Sequence, residues 1–280
     1  MKKIKIKILS AFDYTRLVSF FILVLLSAII VSCQKVISID LNSVYPQIVI
    51  EGNITNLPGP YFVRISRTVN FNDKNIFPVD SNAVVRISDT LGNAEQLKQL
   101  SPGLFSTTTL FGMPGMTYTL TVLTNGIEYR ATSTMPLPVD IDSLQIVIDH
   151  EFRRDRKEIE ATLLDPPGIH NYYRFITVTN GEIRNSYSLL NDRYTDGKVN
   201  IRNINAGDST SILSGDTVTV FMHSIDEATY DYFRTLRAVS GEAGLGFLSA
   251  SPANPITNFN NGALGYFSAY SVKSKTIIVP

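Results

Sequence analysis

Three histidines, one cysteine and a scatter of carboxylates are the side chains in this 280-residue chain that could carry catalysis or hold a metal. His150, His170 and His223 lie in separate segments, without the i, i+4 spacing that puts two imidazoles on one helical face for zinc. They read as surface or strand-end residues. The stretch NDRYTDGK places Asp192, Asp196 and Gly197 at the first, fifth and sixth positions of an EF-hand-like loop. Tyr194 and Asn203 stand where the third and twelfth oxygen ligands belong, so a turn closed by Asp and Gly is expected and no metal site is assigned. The run GEAGLG, Gly241 to Gly246, follows a helical pattern instead of linking a strand to a helix, the wrong context for cradling a phosphate. Asp149, Glu151 and Asp165 could pair in principle, yet nothing in the sequence makes them converge, and no Gly-x-Ser-x-Gly elbow is present. The expectation is a protein without catalytic residues, cofactor-binding residues or cofactors, and not an enzyme.

The one thiol is placed for different chemistry. MKKIKIK is a positive start, and Leu17 to Ser32, LVSFFILVLLSAIIVS, is a 16-residue run without a charge. That length is long for a signal-peptide core and short for a membrane span of about 20 residues, so length alone does not decide. The end of the run does: Ile30-Val31-Ser32-Cys33 resembles the bacterial lipobox. By that resemblance residues 1–32 are a lipoprotein signal peptide, Cys33 receives diacylglycerol on sulfur, and the new amino group is acylated, with palmitate a typical chain. Residues 33–46 then form the lipidated tether. Each buried methylene contributes about 0.8 kcal/mol, so several acyl chains hold a protein on a bilayer where one does not. An uncleaved signal anchor and a buried core cysteine are the competing readings. Gln34-Lys35 after the cysteine, where an Asp would retain the protein, favours outer-membrane delivery by resemblance to sorting rules, periplasmic or cell-surface face left open.

The elements that follow are β-rich. The chain balances 25 basic against 25 acidic side chains, but residues 1–32 hold five basic groups and one acidic, leaving a 248-residue body at net −4. Such a body has little attraction for phosphate backbones, which excludes nucleic acid as a natural partner. Between Gln47 and Met135, QIVIEGNI, YFVRISRT, AVVRIS, LFSTTTL, TYTLTVLT and IEYRATST alternate apolar and polar residues at roughly ten-residue spacing. In YFVRISRT, Tyr61, Val63 and Ile65 oppose Phe62, Arg64 and Ser66, so one face is dry. Asn125-Gly126 suits a two-residue type I′ hairpin turn, because both residues tolerate positive φ. This predicts an Ig-like or transthyretin-like β-sandwich over 47–135. Met135-Pro136-Leu137-Pro138 interrupts the pattern, placing a linker at 136–140. SLQIVIDHEF, EIEATLLD, YYRFITVT, EIRNSYSL and DTVTVFMHS resume it, with a second hairpin signal at Asn180-Gly181, so 141–280 is expected to be a second β-rich domain.

That domain should carry one helix near 225–240. Ser224-Ile225-Asp226-Glu227 has the form of a capping box, and Ile225, Ala228, Tyr232, Leu236 and Val239 recur at helical spacing, with Gly241 placed to end the run. The tail closes as strand-like GYFSAYSV and KTIIV, whose Tyr266, Phe267 and Tyr270 read as core packing.

Taken in order, CQKVISIDL, IVIEGNI, AVVRISD, PGMTYTLTV, MPLPVDIDSLQ, NYYRF, NDRYTDG, SGDTVTV, TYDYFRTLR and GALGYFSAYS resemble the outer-membrane lipoproteins of Bacteroidetes catalogued as domain of unknown function four-two-four-nine. The resemblance covers almost the whole mature chain and implies no catalytic residue. It implies a place beside a TonB-dependent receptor, since members look like its neighbours in gene order. Many members carry acidic residues directly after the lipidated cysteine; this chain has Gln34-Lys35. The expected function is therefore a lipid-anchored, non-enzymatic accessory protein of the outer membrane that binds or assists a TonB-dependent transporter in nutrient uptake. The alternative is a stand-alone adhesive, lectin-like sandwich binding a small molecule or glycan. Sugar sites favour exposed aromatic planes, tryptophan above all. The chain has 13 tyrosines and no tryptophan, leaving Tyr61, Tyr172, Tyr173 and Tyr194 as the residues that could line such a surface.

Overall fold

The computed structural model describes residues 18–20, 22, 46–69, 78, 82–149, 156–204, 212–240 and 254–280. Cys33, His150, Glu151 and the 241–246 glycine run lie outside the described residues, as does the end of the helix expected at Gly241. Contacts divide the chain into Met1–Ser43 and Val44–Pro280. In the first unit, residues 18–20 and 22 are helical and exposed. Among the described residues no helix is long and apolar enough to cross a membrane.

The second unit is mainly β, with two sandwiches and one helix. Its strands are β1 (Ile48–Thr55), β2 (Phe62–Arg67), β3 (Val84–Asp89), β4 (Ala94–Gln96), β5 (Lys98–Ser101), β6 (Leu104–Ser106), β7 (Thr117–Thr124), β8 (Ile127–Thr134), β9 (Ser143–Asp149), β10 (Arg156–Leu164), β11 (Tyr172–Thr179), β12 (Glu182–Asn191), β13 (Val199–Ile204), β14 (Thr217–Ile225) and β15 (Leu264–Ile278); the helix α1 is Glu227–Val239. An eight-stranded sheet runs β12-β11-β14-β15-β1-β2-β6-β5, and two smaller sheets, β4-β3-β7-β8 and β13-β10-β9, complete the layers.

Alternation decides which face is dry. Ile50, Ile54, Val63, Ile65, Ile87 and Leu120 are fully buried in the first core, and Ile159, Leu163, Tyr173, Phe175, Val220 and Met222 anchor the second. Each such side chain contributes about 1.5–3 kcal/mol on leaving water. Both hairpin signals give turns with two positive-φ residues, Asn125 (50°) with Gly126 (77°) and Asn180 (51°) with Gly181 (85°). That is the type I′ signature.

The tail is not two strands but one. β15 runs unbroken for 15 residues; Leu264–Tyr270 pair in parallel with β1, and Ser271–Ile278 pair antiparallel with β14. A single strand therefore belongs to both sandwiches. Its Phe267 and Ala269, with Phe259 and Ala263 before it, pack into the first core, although sequence order places them far beyond the 136–140 linker. The parallel contact with β1 is close: a Cβ on Gly265 would stand 2.0 Å from the Ile50 carbonyl oxygen, and Gly265 has φ +94°. Only glycine meets both demands.

Helix α1 lies on the face of the large sheet opposite the first core. Tyr266 and Ser268 alternate with the core-facing Phe267 and Ala269, and the Thr229 hydroxyl donates to the Ser268 hydroxyl at 3.0 Å. The expected capping box is corrected here. Ser224 is still in β14, paired with Tyr173 and Ser271, and the N-cap is Asp226, whose Oδ1 accepts from Thr229 N at 2.9 Å. The strand runs through Ile225, one residue beyond the DTVTVFMHS run, because both neighbours pair with Ser224 and β11 also pairs with Ile225.

Candidate functional site

Four chain reversals meet where the two sandwiches adjoin: the exit of β8, the entry to β11, the exit of β12 and the β14–α1 corner. Asp226 ties them. Besides capping α1, its Oδ2 accepts from the Ser133 hydroxyl at 2.6 Å and from Thr134 N at 3.3 Å. Ser133 in turn accepts from Ala269 N at 2.8 Å, so the first sandwich, the shared strand and the helix start are joined by one carboxylate and one hydroxyl.

The space they enclose is an open cleft of about 920 Å³, with Thr134 and Pro136 on one wall, Asn191 to Arg193 opposite, and the first two turns of α1 along its side. Two half-buried rings, Tyr172 and Tyr230, stand within it, centroids 5.1 Å apart and tilted by 45°. Burial, followed by a hydrogen bond to the Glu227 carboxylate, pushes the Tyr172 phenol up to about 12. Asn191 Nδ2 donates to Tyr230 Oη at 2.8 Å, and Asp231 holds Arg234 at 2.9 Å. The Asp226 carboxylate of the cleft already accepts three structural hydrogen bonds, and an occupied acceptor is a poor general base.

Behind the cleft wall is an oxygen-rich pocket. Asp165, Asp192 and Asp196 bring their carboxylates within 4.8 Å of one another. Asp165 is fully buried and accepts from Tyr173 Oη at 2.6 Å and Gly197 N at 3.3 Å. Burial raises its pKa, the Tyr173 and Gly197 bonds oppose the rise, and the neighbouring Asp192 and Asp196 charges add to it. Asp192, also buried, accepts from Asn171 N at 2.7 Å, and Asp196 from Gly168 N at 2.8 Å. An all-oxygen set of this kind is what calcium or magnesium selects, and these three are the residues that could hold a metal. The sequence reading places Asp192 and Asp196 together in a turn and assigns no metal there; Asp165 reaches them from the end of β10, a convergence the sequence does not signal.

The remaining candidates separate. His170 is exposed, its Nδ1 3.6 Å from Asp192. His223 is buried, stacked on Tyr270 at 4.3 Å; burial and then the Arg174 charge push its pKa down to about 3, so it is neutral. Arg174 lies over Phe233 at 3.8 Å and over Tyr187 at 5.0 Å, filling the layer between α1 and the sheet. Tyr61 and Tyr173 are core residues. Tyr61 Oη donates toward the Thr55 and Leu57 carbonyls and accepts from Gly112 N, which holds two loops of the first sandwich together. Of the four tyrosines read as possible surface residues, Tyr172 lies in the cleft and Tyr194, outside the cleft lining, is 82% exposed. Glu227 reads in the sequence only as the carboxylate of a capping box, and Tyr230, three residues further along the helix, is a cleft residue the sequence reading does not single out.

The family comparison matches the model described as domain of unknown function (DUF4249) over residues 34–276, and the chain belongs to that family. Among solved structures it is similar to a two-domain fibronectin type III segment of chicken tenascin, at 10% identity and TM-score 0.21, covering 64% of this chain and 90% of that one. A DUF4785 family protein from Legionella pneumophila is similar at 12% identity and TM-score 0.24, covering 64% of this chain and 51% of that one. No curated protein matches it.

Proposed function

We propose that this DUF4249 member is a lipid-anchored, non-enzymatic protein of the outer membrane that assists a TonB-dependent transporter in nutrient uptake. The observation that carries the reading is the position of the single cysteine, Cys33, directly after Ile30-Val31-Ser32 at the end of a 16-residue uncharged run. Acyl chains at that sulfur confine the body to a bilayer, and confinement raises its effective concentration beside a membrane partner, so that even a weak interface stays occupied. The shared strand β15 supports the reading, because two sandwiches joined by fifteen continuous residues present their surfaces to a partner as one unit.

Mass spectrometry of the mature N-terminus is expected to find an acylated Cys33, and Cys33→Ser is expected to move the protein out of the membrane fraction. Unchanged processing and fractionation of Cys33→Ser overturns the anchor. Affinity purification from detergent-solubilised membranes is expected to recover a plugged barrel. Recovery of none favours the solitary adhesive sandwich, for which the exposed Tyr194 ring is the available stacking surface.

A further inference from the structure

The cleft between the sandwiches carries more negative charge than its own cations compensate. Asp192, Asp226, Glu227 and Asp231 line it against Arg193 and Arg234, with the His170 imidazole 3.6 Å from Asp192. Arg234 is held by Asp231, and the Arg193 guanidinium lies 5.7 Å from the Tyr194 ring. Asp165 and Asp196, next to Asp192, extend the negative field behind the wall. Into the same space face the rings of Tyr172 and Tyr230.

Aromatic faces and surplus carboxylates together discriminate between ligand classes. An anion meets net repulsion. A neutral sugar can stack on the rings but gains nothing from the uncompensated charge. A bare divalent cation uses the carboxylates and gains nothing from the rings. An organic ammonium group uses both, because its charge is drawn to the carboxylates and its polarised C–H and N–H edges to the ring quadrupole. The volume of about 920 Å³ accommodates a ligand much larger than one ammonium group.

We propose that this cleft binds a small organic polyamine-type ligand, its ammonium groups seated between the Tyr172 and Tyr230 rings and the Glu227 carboxylate, with the buried Asp192 adding only its field. The site depends on the cleft geometry and not on the lipid anchor.

Spermidine titrated calorimetrically into the full-length mature protein in detergent tests it. The expected result is saturable binding to one site that weakens as salt is raised. Glu227→Gln and Tyr230→Ala are each expected to weaken it about tenfold or more. Glu128→Gln, remote from the cleft on β8, leaves it unchanged. Circular dichroism melting of each variant confirms that the fold persists, and Tyr230→Phe, which keeps the ring, is expected to restore most of the affinity lost in Tyr230→Ala. Absence of saturation by about 10 mM spermidine overturns the proposal. So does binding that survives both Glu227→Gln and Tyr230→Ala, or a cleft that saturates with calcium chloride or cellobiose while spermidine does not bind.

Discussion

Glu95 in the first sandwich and Asp165 in the second each fasten a loop to a sheet, and water treats the two carboxyl groups in opposite ways. Glu95 projects from β4 and gathers the 108–110 loop: Thr108 Oγ1 donates at 2.6 Å, Thr109 N at 3.1 Å and Leu110 N at 2.6 Å, and Thr108 N donates as well. Burial raises its pKa, but these donors to the charged form outweigh burial and bring it to about 2. Asp165 has only two donors, is fully out of water and sits beside two more carboxylates, so its pKa is raised. The number of donors aimed at the ionised form, set against burial, decides the direction.

The largest perturbation is to the strand that makes the two sandwiches answer as one. Gly265→Ala forces a Cβ to 2.0 Å from the Ile50 oxygen at φ +94°. A loss of about 3–5 kcal/mol is expected. Urea denaturation is expected to change from one transition to two, which lets the two carboxylates be titrated in separately unfolding units. Retention of a single wild-type transition breaks the premise that β15 couples them.

Asp165→Ala strips the buried Tyr173 hydroxyl of its acceptor, with an expected loss of about 2–3 kcal/mol in the same assay. The pH dependence has a defined sign. Because the folded pKa of Asp165 lies above the ordinary 3.8, its contribution is present below that value and lost as pH rises through the raised pKa. Asp165→Ala removes that slope.

Glu95→Gln is expected to cost about 1–2 kcal/mol at neutral pH, less than its bond count suggests because the site is partly hydrated. Its slope is the reverse. The contribution of Glu95 is fully present above the ordinary 4.5 and disappears as pH falls through about 2, so the wild type and Glu95→Gln converge in strong acid. Equal slopes for the two variants break the comparison.

Smallest is Asp226→Ala, which removes a helix cap and the hydrogen bonds to Ser133 and Thr134, for about 1 kcal/mol. Amide exchange is expected to rise first in the opening turn of α1.

Most strands were legible because a half-buried sheet writes its environment into period two. YFVRISRT is the clear instance, with Tyr61, Val63 and Ile65 inside. Strands β4, β5 and β13 escaped that reading for a physical reason. They are short or lie at sheet edges, and Leu100, Val199 and Ile201 are apolar yet exposed, so burial imposes no alternation on them. The helix was legible from its stripe, but its first residue was displaced: Ser224 and Asp226 are equally good caps, and only the pairing of β14 with two neighbours selects between them.

What the sequence determines by itself is local. It sets alternation, the two Asn-Gly turns, the helical stripe and the position of the lone cysteine after an apolar run, because each depends on residues within a few positions of one another. Tertiary structure alone decided that one strand serves both sandwiches, that Asp165 joins Asp192 and Asp196, and that Tyr172 and Tyr230 pack against each other in the lining of a charged cleft. Those pairings span from 27 to more than 200 residues of chain, and no local preference encodes a contact whose free energy appears only when the intervening loops have closed.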